Sequence, residues 1–167
     1  MREVSTKTEV LSWISSIFDP LGIVSPFTLK GRLFFQKINL LEIGWKDTVP
    51  EPLLSQFQKW KASIIHLKPL RIPRWTSALG LENSITELVC FCDASAEAYG
   101  VVSYVRKSLQ GGGRDAHVSF LMSKSYVVPL QMLKKPITNQ EAHLDSIPRL
   151  ELVAAQTSAI VKRHAHP

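Results

Sequence analysis

The spacing of apolar residues changes near the middle of this chain. Up to about residue 65, apolar side chains recur every three or four positions, as on one face of an amphipathic helix. From Ile85 to Lys124 they alternate with a period of two, which is typical of strands, and helical spacing returns from Ile147. The chain is therefore expected to form helices, then a sheet, then a further helix.

Three helices are predicted in the first 65 residues. The capping-box pattern Thr6-Lys-Thr-Glu9 begins the first helix, and the turn signal Asp19-Pro20-Leu21-Gly22 ends it. Ser25-Pro26 predicts an N-cap followed by proline at the first position of the second helix, which we expect to end near Gly44. The third helix is expected to begin around Pro52.

Strands and one more helix are predicted in the second half. The strands cover residues 85–92, 98–106 and 117–124, and the helix begins with Ile147-Pro148. The loop between the second and third strands contains Gly111-Gly112-Gly113, which favours an antiparallel hairpin. A Gly-rich loop that binds phosphate leads into the N-terminus of a helix. Here a predicted strand follows the loop, so we interpret it as a turn.

Proline and tryptophan residues separate the two halves. Pro69, Pro73 and Trp75 are typical of an extended connector. We therefore expect a helical region over residues 1–67, a connector over 68–84, and a domain that contains the sheet over 85–167.

Composition places the chain among ordinary globular proteins. Of its 167 residues, 45% are hydrophobic and 20% are charged, and no apolar run is long enough to span a bilayer. The N-terminus lacks the apolar core of a secretory signal, so we expect an intracellular protein, in the cytoplasm or the nucleus, without a membrane partner. Composition does not predict the oligomeric state.

Positive charge is concentrated in the first half. The net charge is +6, and residues 1–80 hold eleven Lys and Arg against six Asp and Glu. Such an excess fits a polyanionic partner such as nucleic acid, and it equally fits a solvated basic surface.

The two cysteines, Cys90 and Cys92, lie two residues apart in the first predicted strand. At that spacing they share one face of the strand, which disfavours a mutual disulfide, and one pair alone does not make a zinc site. We expect buried, reduced thiols beside Phe91.

Two acidic residues stand in apolar surroundings. Asp93 ends the apolar strand that begins at Leu88, and Glu151 lies in the helix segment Ile147–Leu152. Burial disfavours a charged carboxylate, so such residues usually have a cation or a metal as partner. A pair from a strand end and a helix suggests a divalent-metal site for phosphodiester chemistry. Alternatively, Asp93 forms a turn at the strand end, and Glu151 interacts favourably with the helix dipole.

Several segments, in order, resemble the Pol polyproteins of Bel/Pao-type LTR retrotransposons, in a region sometimes labelled a retrotransposon peptidase. The segments that carry the resemblance are Leu11–Phe27, Ile72–Trp75, Phe91–Gly100, Ser123–Ser125 and Ile147–Leu152. Together they extend over nearly the whole chain.

The resemblance implies an α/β (α+β) fold, in which a helical thumb/connection-like region is followed by a truncated RNase H-like domain of three antiparallel strands and one helix. It also implies descent from a reverse transcriptase/RNase H that hydrolyses the RNA strand of RNA–DNA hybrids with two Mg²⁺ ions. Asp93 then matches the first-strand catalytic aspartate and Glu151 the first-helix catalytic glutamate, both as metal ligands.

Departures from the family pattern lower the expected activity. The polymerase palm lies upstream of the matched region, and the third and fourth carboxylates of the family lie beyond Pro167. We therefore expect weak magnesium binding and an inactive or nearly inactive chain. A non-catalytic nucleic-acid-binding or interaction module remains the alternative, with stacking on Trp13, Trp45, Trp60 and Trp75. An aspartic peptidase is disfavoured, because Asp93-Ala-Ser and Asp145-Ser-Ile lack the glycine of Asp-Thr/Ser-Gly.

Overall fold

A computed structural model of the chain describes residues 4–73, 84–109, 116–130 and 146–165, with the side chains of residues 147–160 in the last range. Within these ranges the α-helices are α1 (Lys7–Ser15), α2 (Ser25–Leu40), α3 (Glu51–Ala62) and α4 (Ser146–Ala165), with a 3-10 helix at Ser63–Leu67 after α3. The strands are β1 (Ser84–Ala94), β2 (Ala98–Leu109) and β3 (Ala116–Val127). The expected α+β fold class is confirmed. The predicted glycine loop at 111–113, Trp75 and Asp145 lie outside the described residues.

The first two helices begin in different ways. At α1 the capping box is confirmed: the Glu9 amide donates to the Thr6 hydroxyl at 3.3 Å, and the Thr6 amide donates to the Glu9 carboxylate at 3.0 Å. At α2 the prediction of Ser25 as N-cap is wrong by one residue, since Val24 takes that position and Ser25 is already helical. The Asp19 carboxylate instead accepts the amides of Ile23 and Val24, which leaves the Ser25 hydroxyl free for a long-range contact.

The three N-terminal helices enclose an aromatic core. Phe57 is fully buried, and Trp60 stacks on Phe27 with a centroid distance of 4.8 Å. The buried apolar residues of this core are Val4, Val10, Ile14, Ile38, Val49, Leu54, Phe57 and Trp60. Trp60 therefore serves packing, which is the usual role of a large aromatic residue on a helical stripe.

The strands pair antiparallel in the order β1-β2-β3 within the described residues. Phe91 of β1 lies opposite Val102 of β2, and Val102 lies opposite Ser123 of β3. The register between β2 and β3 shifts by one residue after Ser103, so that Tyr104 lies opposite Phe120. All three strands are longer than predicted by one to three residues at one or both ends, and the predicted hairpin is confirmed.

The two faces of the sheet have different neighbours. Val101 and Ser103 are buried on one face, which α4 covers by contacting β1 and β2. We call this the helix face. On the opposite face, Phe91 is 60% exposed and an open cavity lies beside α2, so we call it the cavity face. Neighbouring strand residues alternate between the two faces.

Hydrogen bonds join the helical region to β3. The Ser123 amide donates to the Leu21 carbonyl at 2.8 Å, and the Arg32 guanidinium donates to the Ser125 carbonyl at 2.6 Å. The buried Gln36 amide donates to the carbonyl of Val128, just beyond β3. The N-terminal helices therefore pack directly against the sheet, whereas the division at residues 67 and 84 stays a prediction.

Candidate functional site

A cavity of about 560 Å³ lies between the cavity face of the sheet and the start of α2. The sheet contributes Phe91, Tyr104 and Phe120, and the helix contributes Pro26 and Leu29. Its walls are therefore mostly apolar and aromatic, which is typical of small-ligand sites.

Asp93 lies at the edge of this cavity, one residue before β1 ends at Ala94. Asp93 pairs with Gly100 in the sheet and shares the cavity face with Phe91 by strand alternation. The prediction that it stands in a buried setting is wrong: the residue is exposed, because the apolar residues before it cover only part of this face. One carboxylate oxygen accepts the Ala94 amide at 2.9 Å, so the turn-forming interpretation describes part of its role.

Glu151 lies on α4, on the other side of the sheet. The buried residues Leu150 and Ala154 are four positions apart and turn that side of α4 towards the sheet. Glu151 follows Leu150 by one position and is exposed, so it too lacks the buried setting that the sequence predicted. It does not line the cavity that Asp93 borders. Their joint role as metal ligands stays a prediction.

The thiols differ from the expectation as well. Both cysteines are free, as predicted, but Cys90 is only half-buried and Cys92 is exposed. The Cys90 sulfur lies 3.2 Å from the fully buried Ser103 hydroxyl. Burial of the thiols was overestimated because β2 is the one strand that pairs with β1 in the described residues, and a strand near an edge is less covered.

The sequence analysis missed the aromatic row of the cavity. Phe91, Tyr104 and Phe120 come from three different strands, and each neighbouring pair of ring centroids is 6.1 Å apart. Alternation alone could place each aromatic residue on a face, but the one-residue shift between β2 and β3 decides that Phe120 joins Tyr104. That shift has no clear sequence signal.

The tryptophans are divided between packing and surface. Trp13 contacts Trp60 edge-to-face at 5.2 Å within the helical core. Trp45 is 55% exposed and lies under the Lys7 ammonium group, 5.0 Å from its ring centroid. Stacking of nucleic acid on Trp45 therefore stays a prediction, while Trp13 and Trp60 are occupied by core contacts.

Within the described side chains, there is no group of three or more His, Cys, Asp and Glu residues that could hold a metal ion. Within the same residues, there is also no helix that is long and apolar enough to cross a membrane.

The chain matches the family model described as "Pao retrotransposon-like RNaseH-like domain" over residues 6–166. No curated protein and no solved structure matches it. The match covers the helical region and the sheet together, and it confirms the resemblance to the Bel/Pao Pol region. This chain is therefore a member of the Pao retrotransposon-like RNaseH-like domain family.

Proposed function

We propose that this chain carries the remnant of a metal-dependent ribonuclease site that acts on RNA–DNA hybrids. The observation that carries the proposal is the family match over residues 6–166, together with the position of Asp93 at the end of β1 beside an open cavity. Asp93 and Glu151 are the proposed ligands of Mg²⁺.

The chemistry of these two residues fits magnesium. Carboxylate oxygens are the hard ligands that Mg²⁺ prefers, and both side chains are exposed to solvent. The bond from the Ala94 amide occupies one lone pair of Asp93, so the carboxylate retains acceptor sites for a cation. A bound Mg²⁺ would activate water and stabilise the leaving oxygen of the RNA strand.

We further propose that the 167-residue chain binds magnesium weakly and hydrolyses hybrids slowly or not at all. Magnesium requires about six oxygen ligands in near-octahedral geometry, and two carboxylates supply only a few of them. Asp93 lies on the cavity face, while α4, which carries Glu151, covers the helix face. Both carboxylates must therefore reach the same ion from opposite sides of the sheet.

Nucleic-acid binding without catalysis is the second candidate. It is favoured by the +5 net charge of residues 1–80, of which Lys30, Lys37 and Lys46 are exposed. A basic surface of this kind would contact phosphates, and its affinity for nucleic acid would fall as the salt concentration rises. A hybrid-binding assay between 50 and 200 mM salt (a range of about fourfold) separates phosphate contacts from apolar association.

Mn²⁺, a paramagnetic substitute for Mg²⁺, tests the metal site directly. We expect Mn²⁺ to broaden the amide resonance of Ala94 in the NMR spectrum, and we expect Asp93→Asn to abolish this broadening. Glu151→Gln should weaken it, and Glu97→Gln, a substitution of an exposed neighbour, should leave it unchanged. Broadening that is the same in Asp93→Asn would contradict the proposed ligand.

Cleavage of a labelled RNA–DNA hybrid tests the catalytic part. We expect product formation close to the rate without protein, in both the unsubstituted chain and Asp93→Asn. Rapid, magnesium-dependent cleavage that is lost in Asp93→Asn would overturn the proposed inactivity while supporting the proposed site. Cleavage that persists in Asp93→Asn would contradict both.

A further inference from the structure

The aromatic row lines one side of the cavity with three rings, each packed edge-to-face against the next. Phe91, Tyr104 and Phe120 lie on neighbouring strands, with interplanar angles of 72° and 81° between successive rings. Phe91 is 60% exposed, which is unusual for a phenylalanine whose ring neighbours are aromatic. The row is therefore accessible to a ligand from the Phe91 side.

Helix α2 forms the opposite side of the cavity. Pro26 and Leu29 lie in its first turns and line the cavity. A volume of about 560 Å³ lies within the range of roughly 300–1,000 Å³ that small-molecule sites occupy. Two apolar sides, one of them aromatic, suit a flat ligand ring that inserts between them.

Asp93 determines which flat rings fit. Among the described residues, it supplies the one carboxylate of the lining. Lys124 also borders the cavity, but it pairs with Val101 on the helix face, so its side chain points away from the cavity face. An ionised carboxylate only accepts hydrogen bonds, so the ligand must present N–H donors, and a negative group at this edge would be repelled.

We propose that this cavity binds an unpaired nucleobase with adjacent N–H donors, of which guanine is the best match. The base stacks on Phe91, the most exposed ring of the aromatic row, and its N1–H and 2-amino groups donate to Asp93. Recognition of splayed-out bases by aromatic stacking and by hydrogen bonds to the base edge is the usual mode for single-stranded RNA. The proposal goes beyond the proposed function, because it requires neither a metal ion nor hydrolysis.

Guanosine and inosine form a matched pair of probes. They differ only in the 2-amino group, so the comparison isolates one of the two donors that face Asp93. In buffer with a metal chelator, we expect saturable binding of guanosine to the 167-residue chain, and inosine should bind at least about fivefold more weakly. Equal affinity for the two nucleosides, or no saturable binding of guanosine, would overturn the proposal.

Substitutions test whether the ligand binds in the cavity. Phe91→Ala should weaken guanosine binding by at least about fivefold, because it removes a stacking ring. The exposed position makes this substitution compatible with folding, which circular dichroism verifies. Phe18→Ala is the control: Phe18 is 89% exposed and does not line the cavity, so guanosine affinity should not change. Equal loss in both variants, or no loss in Phe91→Ala, would overturn the assignment.

Asp93→Asn tests the polar part separately. The variant should bind guanosine and inosine with similar affinity, because an amide no longer offers two acceptor oxygens. A guanosine preference that survives Asp93→Asn would place the base edge elsewhere. Since the chelator removes divalent ions, these results are independent of whether the Mn²⁺ and hybrid-cleavage experiments succeed.

Discussion

Gly22 lies directly against the backbone of Ser123. The Ser123 hydroxyl donates a hydrogen bond to the Gly22 carbonyl at 2.6 Å, and a Cβ atom on Gly22 would overlap the Ser123 carbonyl group. Gly22 also has φ +73°, in the left-handed region where side chains are strained. The turn between α1 and α2 is thereby held against β3, next to the cavity.

Gly22→Ala should destabilise the protein strongly. The substitution combines an unfavourable positive φ with a clash against main-chain atoms, which cannot rotate away as a side chain can. We expect a decrease of roughly 2–4 kcal/mol in the free energy of unfolding. Chemical denaturation measures the change.

Gly100→Ala is the matched control for this prediction. Gly100 lies in β2, and a Cβ there would meet the Lys124 carbonyl oxygen at 3.4 Å, which is an ordinary contact. Its effect should stay below about 1 kcal/mol, because alanine also suits an extended strand better than glycine does. Similar losses in both variants would show that the turn does not depend on close approach to β3.

The hydroxyl groups of Ser25 and Ser125 should be energetically coupled. Their oxygens are 2.8 Å apart and connect the first residue of α2 with β3 across 100 positions of sequence. A double-mutant cycle with Ser25→Ala and Ser125→Ala should give a coupling energy of about 0.5–1.5 kcal/mol. Ser12, which is exposed, is the control: Ser12→Ala should be additive with Ser125→Ala. Full additivity of the Ser25 pair would contradict the predicted coupling between the two hydroxyl groups.

Glu9 should make stability depend on pH in the acidic range. Hydrogen bonds from the backbone amides of Ser5 and Thr6 lower the pKa of Glu9 from 4.5 to about 2. Because the folded state holds the ionised form, this stabilisation is present above pH 4.5 and is lost as the pH falls towards 2. Unfolding measured across this window should show a smaller pH dependence for Glu9→Gln than for the unsubstituted chain. Identical profiles would contradict the lowered pKa, as would an NMR titration of Glu9 with a midpoint near 4.5.

Local signals predicted the helices better than the site. The capping box of α1 depends on residues three positions apart, so the sequence contains all that determines it. The start of α2 was misplaced, because the Ser25 hydroxyl bonds Ser125, a partner that no local pattern identifies.

The sequence analysis identified Asp93 and Glu151 as site residues because it expected both carboxylates to be buried, and both are exposed. The apolar segment before Asp93 suggested a covered strand, yet Phe91 is exposed because the cavity face is only partly covered by α2. Whether an alternating strand is covered on one face or both depends on tertiary packing, and the strand pattern does not reveal it. The cavity itself arises from the docking of α2 on β3 and could not be predicted.

Gly31→Ala should reduce stability although it improves helix propensity. Gly31 lies within α2, where alanine is favoured over glycine by about 1 kcal/mol. A Cβ at this position would overlap the six-membered part of the Trp60 indole, which is held in place by its stacking on Phe27. We expect a net loss of roughly 1–3 kcal/mol in the free energy of unfolding.

The smaller ring in Trp60→Phe should remove this penalty. Phenylalanine leaves room beside α2, and it eliminates the indole Nε1–H, which is buried without a hydrogen-bond partner among the described residues. In the Trp60→Phe background, Gly31→Ala should therefore be neutral or stabilising, and the two substitutions should couple by more than about 1 kcal/mol. Lys30→Ala, on the exposed side of α2, should have the same small effect in both backgrounds. Equal losses from Gly31→Ala in both backgrounds would show that the indole does not limit the approach of α3 to α2.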